Sequence, residues 1–223
     1  MGCRVKEYYR PSKEVCIKGL NISLGSSKLV IDVYECVYLP SDDTYLLIDA
    51  VLSDLRGSLS GVKALEIGSG SGLVSLVLAH YGAEVISIDI SPHAVYNTLI
   101  NSLMNRLNAI DVIQGHGTSM IRSSRLFDLI VFNPPYLPCE DSDDWLDISW
   151  CGGRGGVDVL CGVVEGLSKL LKCGGYLYVV LSSLGDVGRA LNELHRVGFR
   201  CVLKSLKHIF FEDIAVYRCV NEC

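Results

Sequence analysis

From Val62 onward the chain alternates short, nearly continuous apolar runs with longer stretches whose apolar residues recur every three to four positions. "VKALEIG" predicts a strand and "GLVSLVLAHYG" a helix that ends near Gly82. "AEVISIDI" predicts a strand, followed by the helix "SPHAVYNTLINSLMNRL" with Ser91 as N-cap and Pro92 at its first position. "AIDVIQG" and "FDLIVFN" are further strands. "GVDVLCGVVEGLSKLLK" reads as a helix stopped by Cys173-Gly174-Gly175, and "GYLYVVLSS" as the strand after it. "LGDVGRALNELHRVG" is a helix with Gly198 as its C′ residue, and "RCVLKSLKHIF" and "EDIAVYRCV" form a closing antiparallel pair.

Upstream, β-branched residues around Gly25-Ser26-Ser27 in "EVCIKGLNISLGSSKLVIDVYECVYLP" predict a hairpin. "SDDTYLLIDAVLSDL" predicts a helix, with Ser41 as N-cap, Asp42 and Asp43 in the first turn, and Leu46, Leu47, Ala50 and Val51 at helical spacing. Strands alternating with helices give an α/β, doubly wound fold. Its seven-stranded sheet is mostly parallel and covered on both faces, with an antiparallel last strand. No repeat or linker divides the chain. The expected organisation is an N-terminal β-hairpin extension, residues 1–40, ahead of one domain, residues 41–223.

Composition narrows the class. The 223 residues are long enough for one α/β domain, and 20% charged residues fit a globular protein. The net charge is −5, from 20 Lys+Arg against 25 Asp+Glu, which speaks against binding nucleic acid mainly through phosphates. Apolar runs such as "YLYVVL" are too short to cross a bilayer. "MGCRVKEYYRPSKE" has no signal-peptide core, and Gly2 lacks the Ser or Thr that a lipidation signal needs, so a cytoplasmic location is expected. The ten cysteines include no Cys-x-x-Cys pair and no Cys/His cluster with zinc spacing, so no metal site is expected. Cys161 and Cys219 sit among apolar residues, and the cysteines read as small buried hydrophobes, with disulfides an option in a hyperthermophile.

"ALEIGSGSG" places Glu66, Gly68, Ser69, Gly70 and Gly72 just past a strand, where glycines permit a tight turn and close approach to a ligand. The spacing is G-x-G-x-G, unlike the G-x-G-x-x-G of dinucleotide sites. Asp89 ends the next strand, where a carboxylate can accept hydrogen bonds from both hydroxyls of a ribose. Together these residues predict a site for an adenosine-containing ligand at the carboxyl ends of the strands.

"ALEIGSGSG…VISIDI…FDLIVFNPPYLP" resembles a class I S-adenosylmethionine-dependent methyltransferase. The resemblance runs from about Ser41 to the C-terminus and implies S-adenosyl-L-methionine as cofactor. It implies that Glu66, Gly68, Ser69 and Gly70 belong to the loop under the cofactor's amino-acid part, and that Asp89 with Ile90 holds the ribose.

The Asn133-Pro134-Pro135-Tyr136 turn then acquires a chemical reading. An amide nitrogen is a poor nucleophile because its lone pair is delocalised. Accepting hydrogen bonds from its N–H groups orients the nitrogen and raises its electron density. The Asn133 side-chain oxygen and the Pro134 carbonyl can supply two acceptors, and the prolines fix their geometry. Tyr136 can pack against a flat target. No general base is needed before transfer. In the family this motif acts on planar nitrogens: glutamine amides in proteins, adenine in DNA, guanine amines in RNA.

Flanking segments narrow the resemblance. "VYLPSDDTYLLIDAV" and the "WCGGRGGVDVL" that follows "NPPYLP" are similar to the HemK-related release factor glutamine methyltransferases of archaea and eukaryotes. This implies a protein substrate, the glutamine of a Gly-Gly-Gln loop in a class I release factor, held by Asn133, Pro134, Pro135 and Tyr136. It implies cofactor contacts from Thr44 and Asn133, and a small zinc-binding activator protein as partner. The mean hydropathy of +0.34 is compatible with such a partner. Two positions depart from the pattern. Leu39 stands where the family has Glu, and His116 stands where an acidic residue often binds the adenine amine; a neutral His116 can still accept a hydrogen bond. The acidic segment Glu140 to Trp145 reads as a solvated loop. The competing readings are an RNA or DNA exocyclic-amine methyltransferase of the same fold, and a non-catalytic subunit that keeps the fold.

Overall fold

Val15–Leu24 (β1) and Ser27–Tyr34 (β2) pair antiparallel through the turn at Gly25. The computed structural model describes residues 3, 11–55, 58–122, 125–140 and 142–223. The first ten positions of the expected extension, Cys3 apart, and Asp141 of the acidic segment lie outside the described residues. The remaining elements follow in chain order: α1 Asp42–Leu55, β3 Lys63–Ile67, α2 Leu73–His80, β4 Glu84–Asp89, α3 Pro92–Met104, β5 Ile110–Gln114, β6 Phe127–Phe132, α4 Trp145–Ile148, a 3₁₀ turn Arg154–Gly156, α5 Asp158–Leu170, β7 Leu171–Ser182, α6 Val187–Arg196, β8 Phe199–Ile209 and β9 Glu212–Asn221.

The seven-stranded sheet has the order β5-β4-β3-β6-β7-β9-β8. β5, β4, β3, β6 and β7 run parallel, and β9 is antiparallel to both its neighbours. Side chains alternate across the sheet and both faces are covered, which is why β6 and β7 read as unbroken apolar runs. Leu129, Val131, Tyr178 and Val180 face a core shared with α1, α2 and the hairpin. Phe127, Ile130, Phe132, Leu177 and Val179 face the opposite core, under α5 and α6. The connection order reverses between β3 and β6. That is the switch point at which sheets of this kind open a crevice.

The hairpin is welded to the domain. Ile31 and Val33 are buried in the core that contains Ala64 and Val131. The free edge of β2 is satisfied by asparagines one turn apart on α3. Asn97 Oδ1 accepts from Tyr34 N–H and its Nδ2 donates to Asp32 O. Asn101 bonds the N–H and carbonyl of Asp32, and Asn105 those of Val30. Each amide gives β2 one donor and one acceptor, so the helix face serves β2 as a neighbouring strand would.

Two expectations need correction. α5 ends at Leu170, and Leu171 to Gly175 already belong to β7. Leu171 pairs with Phe127 across the sheet, and Asn221 Nδ2 donates to its carbonyl, so tertiary partners extend the strand backwards. The cysteines are not simply small hydrophobes. Cys3–Cys36, Cys139–Cys151, Cys173–Cys223 and Cys201–Cys219 are disulfides, and only Cys16 and Cys161 are free. Cys219 is fully buried, as its apolar neighbours suggest, but the register places it opposite Cys201. Strand pairing brings these partners together, and spacing along the chain does not reveal it.

Candidate active site

A cleft of about 1200 Å³ opens at the carboxyl ends of β3, β4, β5 and β6, where the switch point places it. Pockets of roughly 300–1,000 Å³ hold one drug-sized ligand, so this one has room for a cofactor and part of an acceptor. Gly68, Gly70, Asp89, Ile90, His116, Asn133 and Tyr136 all line it. Two sequence motifs 65 positions apart meet there. Ile67 pairs with Phe132, and a Cβ at Gly68 would lie 3.8 Å from the Asn133 carbonyl oxygen.

The glycine loop is held in shape from below. Gly68 and Gly70 have positive φ, where a side chain would be strained. Asp89 Oδ2 accepts the Gly70 N–H at 3.0 Å and Oδ1 accepts the Ser91 N–H at 2.8 Å. The carboxylate thus ties the loop to the start of α3, and each oxygen keeps acceptor capacity. Burial raises the Asp89 carboxyl, against the downward pull of these N–H groups. Ile90 is exposed at the rim. His116 is exposed beside it, after β5.

Two predicted contacts have internal partners. Glu66 lies one residue before the end of β3 and its side chain points to the α2 face. Its Oε2 accepts from the N–H and hydroxyl of Ser75 and from Ser87 Oγ, and burial pushes its pKa up to about 8. Ser69 is buried, and its hydroxyl accepts from Thr98 Oγ1 at 2.9 Å. Gly72 serves packing, since a Cβ there would be 2.9 Å from Thr98 Cα.

Sequence reasoning missed the hub of the site. Asp43 appears in the sequence as one of two acidic residues in a first helical turn, and that pairing is its only signal. In the structure it is 1% exposed. Its two oxygens accept from Tyr38 Oη, Ser41 Oγ, the N–H and hydroxyl of Thr44, Asn133 Nδ2 and Tyr136 Oη, at 2.6 to 3.1 Å. Ser41 therefore caps α1 through its carbonyl, which accepts from Tyr45, while its hydroxyl turns to Asp43. Thr44 lines the cleft with its hydroxyl engaged on Asp43. Burial and the Asp43 charge raise both phenols, Tyr38 to about 12 and Tyr136 further. Both phenols remain donors at neutral pH.

The Asn133 amide has only one compatible orientation. A carboxylate can only accept, so Nδ2 must face Asp43. Oδ1 is then left buried, with no hydrogen-bond partner among the described residues. A buried, unpartnered acceptor is costly to fold around, of order 1–3 kcal/mol, and this one belongs to a residue that lines the cleft.

The turn is supported from the other side by the glycine-rich segment. Leu137 N–H donates to Trp150 O and Gly152 N–H to Leu137 O. A Cβ at Gly152 would stand 2.5 Å from Pro135 O, and one at Gly156 2.1 Å from Tyr136 O. Only glycines let this backbone lie flat against the Pro-Pro-Tyr backbone. The Cys139–Cys151 disulfide fastens the two segments. The acidic segment is not merely a solvated loop: Asp144 caps the short helix α4, and Trp145 is buried and lines the cleft.

Residues 58–210 match a family model described as a methyltransferase domain. A putative protein N5-glutamine methyltransferase of Methanocaldococcus jannaschii is 32% identical over 81% of this chain and 89% of the relative. Human Methyltransferase HEMK2 is 37% identical over 66% of this chain and 72% of its own length. Among solved structures, the E. cuniculi Mtq2-Trm112 complex, responsible for methylation of the eRF1 translation termination factor, superposes with a TM-score of 0.66. The identity is 22%, over 83% of this chain and 99% of the solved chain. Among the described residues no helix is long and apolar enough to cross a membrane.

Proposed function

This chain belongs to the HemK-related glutamine methyltransferases, a branch of the S-adenosylmethionine-dependent methyltransferases, and on that premise we propose that it methylates the side-chain amide of the glutamine in a Gly-Gly-Gln loop of a class I release factor. The observation that carries this reading is the Asn133 side chain, with Nδ2 fixed on Asp43 and Oδ1 buried without a partner.

S-adenosylmethionine, when bound, supplies an electrophilic sulfonium methyl group. The residues present fit such a ligand. Gly68 and Gly70 expose backbone to the cleft, and Asp89 retains acceptor capacity for two ribose hydroxyls with Ile90 exposed beside it. His116 and Thr44 line the same cleft. Glu66 and Ser69 hold the loop in shape from beneath.

The acceptor amide is held by Asn133 Oδ1 and the Pro134 carbonyl, one for each N–H. Pro134 and Pro135 deny the turn other conformations, and Tyr136, anchored through its hydroxyl to Asp43, sets its ring beside the amide. Two fixed acceptors draw electron density toward the nitrogen and aim it. A methylated amide nitrogen sheds its extra proton readily, so the site needs acceptors and no strong base.

In this reading residues 41–223 form the catalytic unit and residues 1–40 an extension whose strand β2 is bonded to the asparagines of α3 and its C-cap. A small zinc-binding activator protein is the proposed partner. Support comes from Leu99, Leu103 and Met104, exposed on α3, and Met120, exposed beyond β5. A translation-factor substrate implies a cytoplasmic reaction. Incubation with labelled S-adenosylmethionine and either release factor or total RNA tests the reading. Label is expected in the protein, and label in RNA alone would overturn it.

A further inference from the structure

β8 and β9 meet at a turn whose two central residues are the aromatics Phe210 and Phe211, 87% and 94% exposed. Phe210 has φ +48, a region that bulky side chains rarely adopt and that turns normally fill with Gly, Asn or Asp. Neither ring contributes to the core, so folding does not account for two aromatics there.

The base of this turn is held firmly. Ser182 Oγ donates to Glu212 Oε2 at 2.6 Å, Asp213 N–H donates to Ser183 Oγ, and Ser183 N–H to the Asp213 carbonyl. His208 Nδ1 lies 2.8 Å from Asp213 Oδ1. The rings therefore stand on a braced platform. That platform belongs to the active site, because Ile209, Glu212 and Ile214 line the cleft while the neighbouring Phe210 and Phe211 face outward.

The geometry points to Phe210 and Phe211 as a docking wedge for the folded body of the protein substrate, at the rim of the cleft that receives its acceptor side chain. This inference rests on the proposed protein-methylating function. An acceptor loop can enter the cleft only while the domain that carries it rests on the rim, and these two rings are the most exposed apolar groups adjoining the lining. The two rings together offer roughly 300–500 Å². That is well short of the ~1,000 Å² expected of a stable interface, so it suits a transient enzyme–substrate contact better than pairing with a second copy.

The test compares wild type with the Phe210→Ala/Phe211→Ala variant on two acceptors: a folded class I release factor and a short synthetic peptide carrying its Gly-Gly-Gln segment. KM for the folded factor is expected to rise ~10–100-fold, the loss associated with two aromatic anchors, while kcat at saturation stays within about twofold. Peptide kcat/KM and cofactor affinity are expected to be unchanged. An unchanged KM for the factor overturns the inference, as does a parallel fall on factor and peptide. Binding of the wild type but not the variant to phosphatidylcholine vesicles, with factor kinetics intact, would reassign the wedge to membranes. A wild type that methylates neither acceptor would refute the underlying function, and the wedge with it.

Discussion

Asn133 Nδ2 donates to Asp43 Oδ2 across 3.0 Å, so the amide that opens the Asn133-Pro134-Pro135-Tyr136 turn takes its orientation from the first turn of a helix 90 residues earlier. The same carboxylate holds Tyr136, Tyr38 and Thr44. Removing it should release the acceptor pair without touching the cofactor loop. Asp43→Ala is expected to lower kcat ~100-fold, the scale of a misplaced reacting group. Cofactor Kd, followed by calorimetry, is expected to hold within about threefold, under 1 kcal/mol. A loss of cofactor affinity matching the loss of rate would assign Asp43 to the fold alone.

Glycines at two positions should respond in opposite directions. Gly156 has φ +66, and an added Cβ would meet the Tyr136 carbonyl at 2.1 Å. Gly156→Ala should displace the Asn133-Tyr136 turn, lowering both Tm and kcat. Gly162 lies within α5 with nothing within 4 Å of its would-be Cβ. Gly162→Ala gains helix propensity, about 0.8–1 kcal/mol, and should raise Tm by about 2–4 °C, although the added methyl group lies on the wall of the cleft. Differential scanning calorimetry and steady-state rates check both.

Glu66 couples stability to pH. Its folded pKa is raised to about 8 by burial, from an ordinary value of 4.5. Between those values the folded state binds a proton that the unfolded chain has lost. The stabilising contribution of the protonated form is therefore complete below about 4.5 and is lost as pH rises through 8, at about 1.4 kcal/mol per pH unit. Glu66→Gln keeps an acceptor for Ser75 and cannot ionise. Its Tm, measured from pH 5 to pH 8, should gain on wild type as pH rises. Parallel curves would exclude the linkage.

The cysteine pairing is checked by counting thiols. Denatured without reductant, the chain should titrate two thiols, those of Cys16 and Cys161; ten would contradict the four disulfides. Reduction should also lower Tm. Closing even a loop of about 15 residues is worth ~3 kcal/mol in the chain-entropy view.

Much of this was legible in the chain. Leu129 to Phe132 and Leu177 to Leu181 announce strands buried on both faces, and Ser91-Pro92 and Gly198 mark helix ends correctly. The Gly68 loop and the Asn133 turn were identifiable because glycine and proline act through the local backbone. Asp43 was not, because its importance lies in joining Tyr38, Ser41 and Thr44 of its own segment to Asn133 and Tyr136 of a distant one, while locally it suits any helix start. The asparagines at 97, 101 and 105 show a helical period, but nothing in the sequence says that a strand edge faces them. Disulfide partners and the backward extension of β7 likewise depend on strand register, which local pattern leaves open.

The central claim is that the buried Oδ1 of Asn133 receives an N–H of a glutamine amide. Its most direct test is mass spectrometry of a class I release factor co-expressed with wild type or with Asn133→Ala, read on the Gly-Gly-Gln peptide. Wild type is expected to add one methyl group to that glutamine. Asn133→Ala is expected to add none while still binding S-adenosylmethionine. A methylated glutamine from the Asn133→Ala variant at the wild-type level, or an unmodified glutamine with active wild-type enzyme, would contradict it.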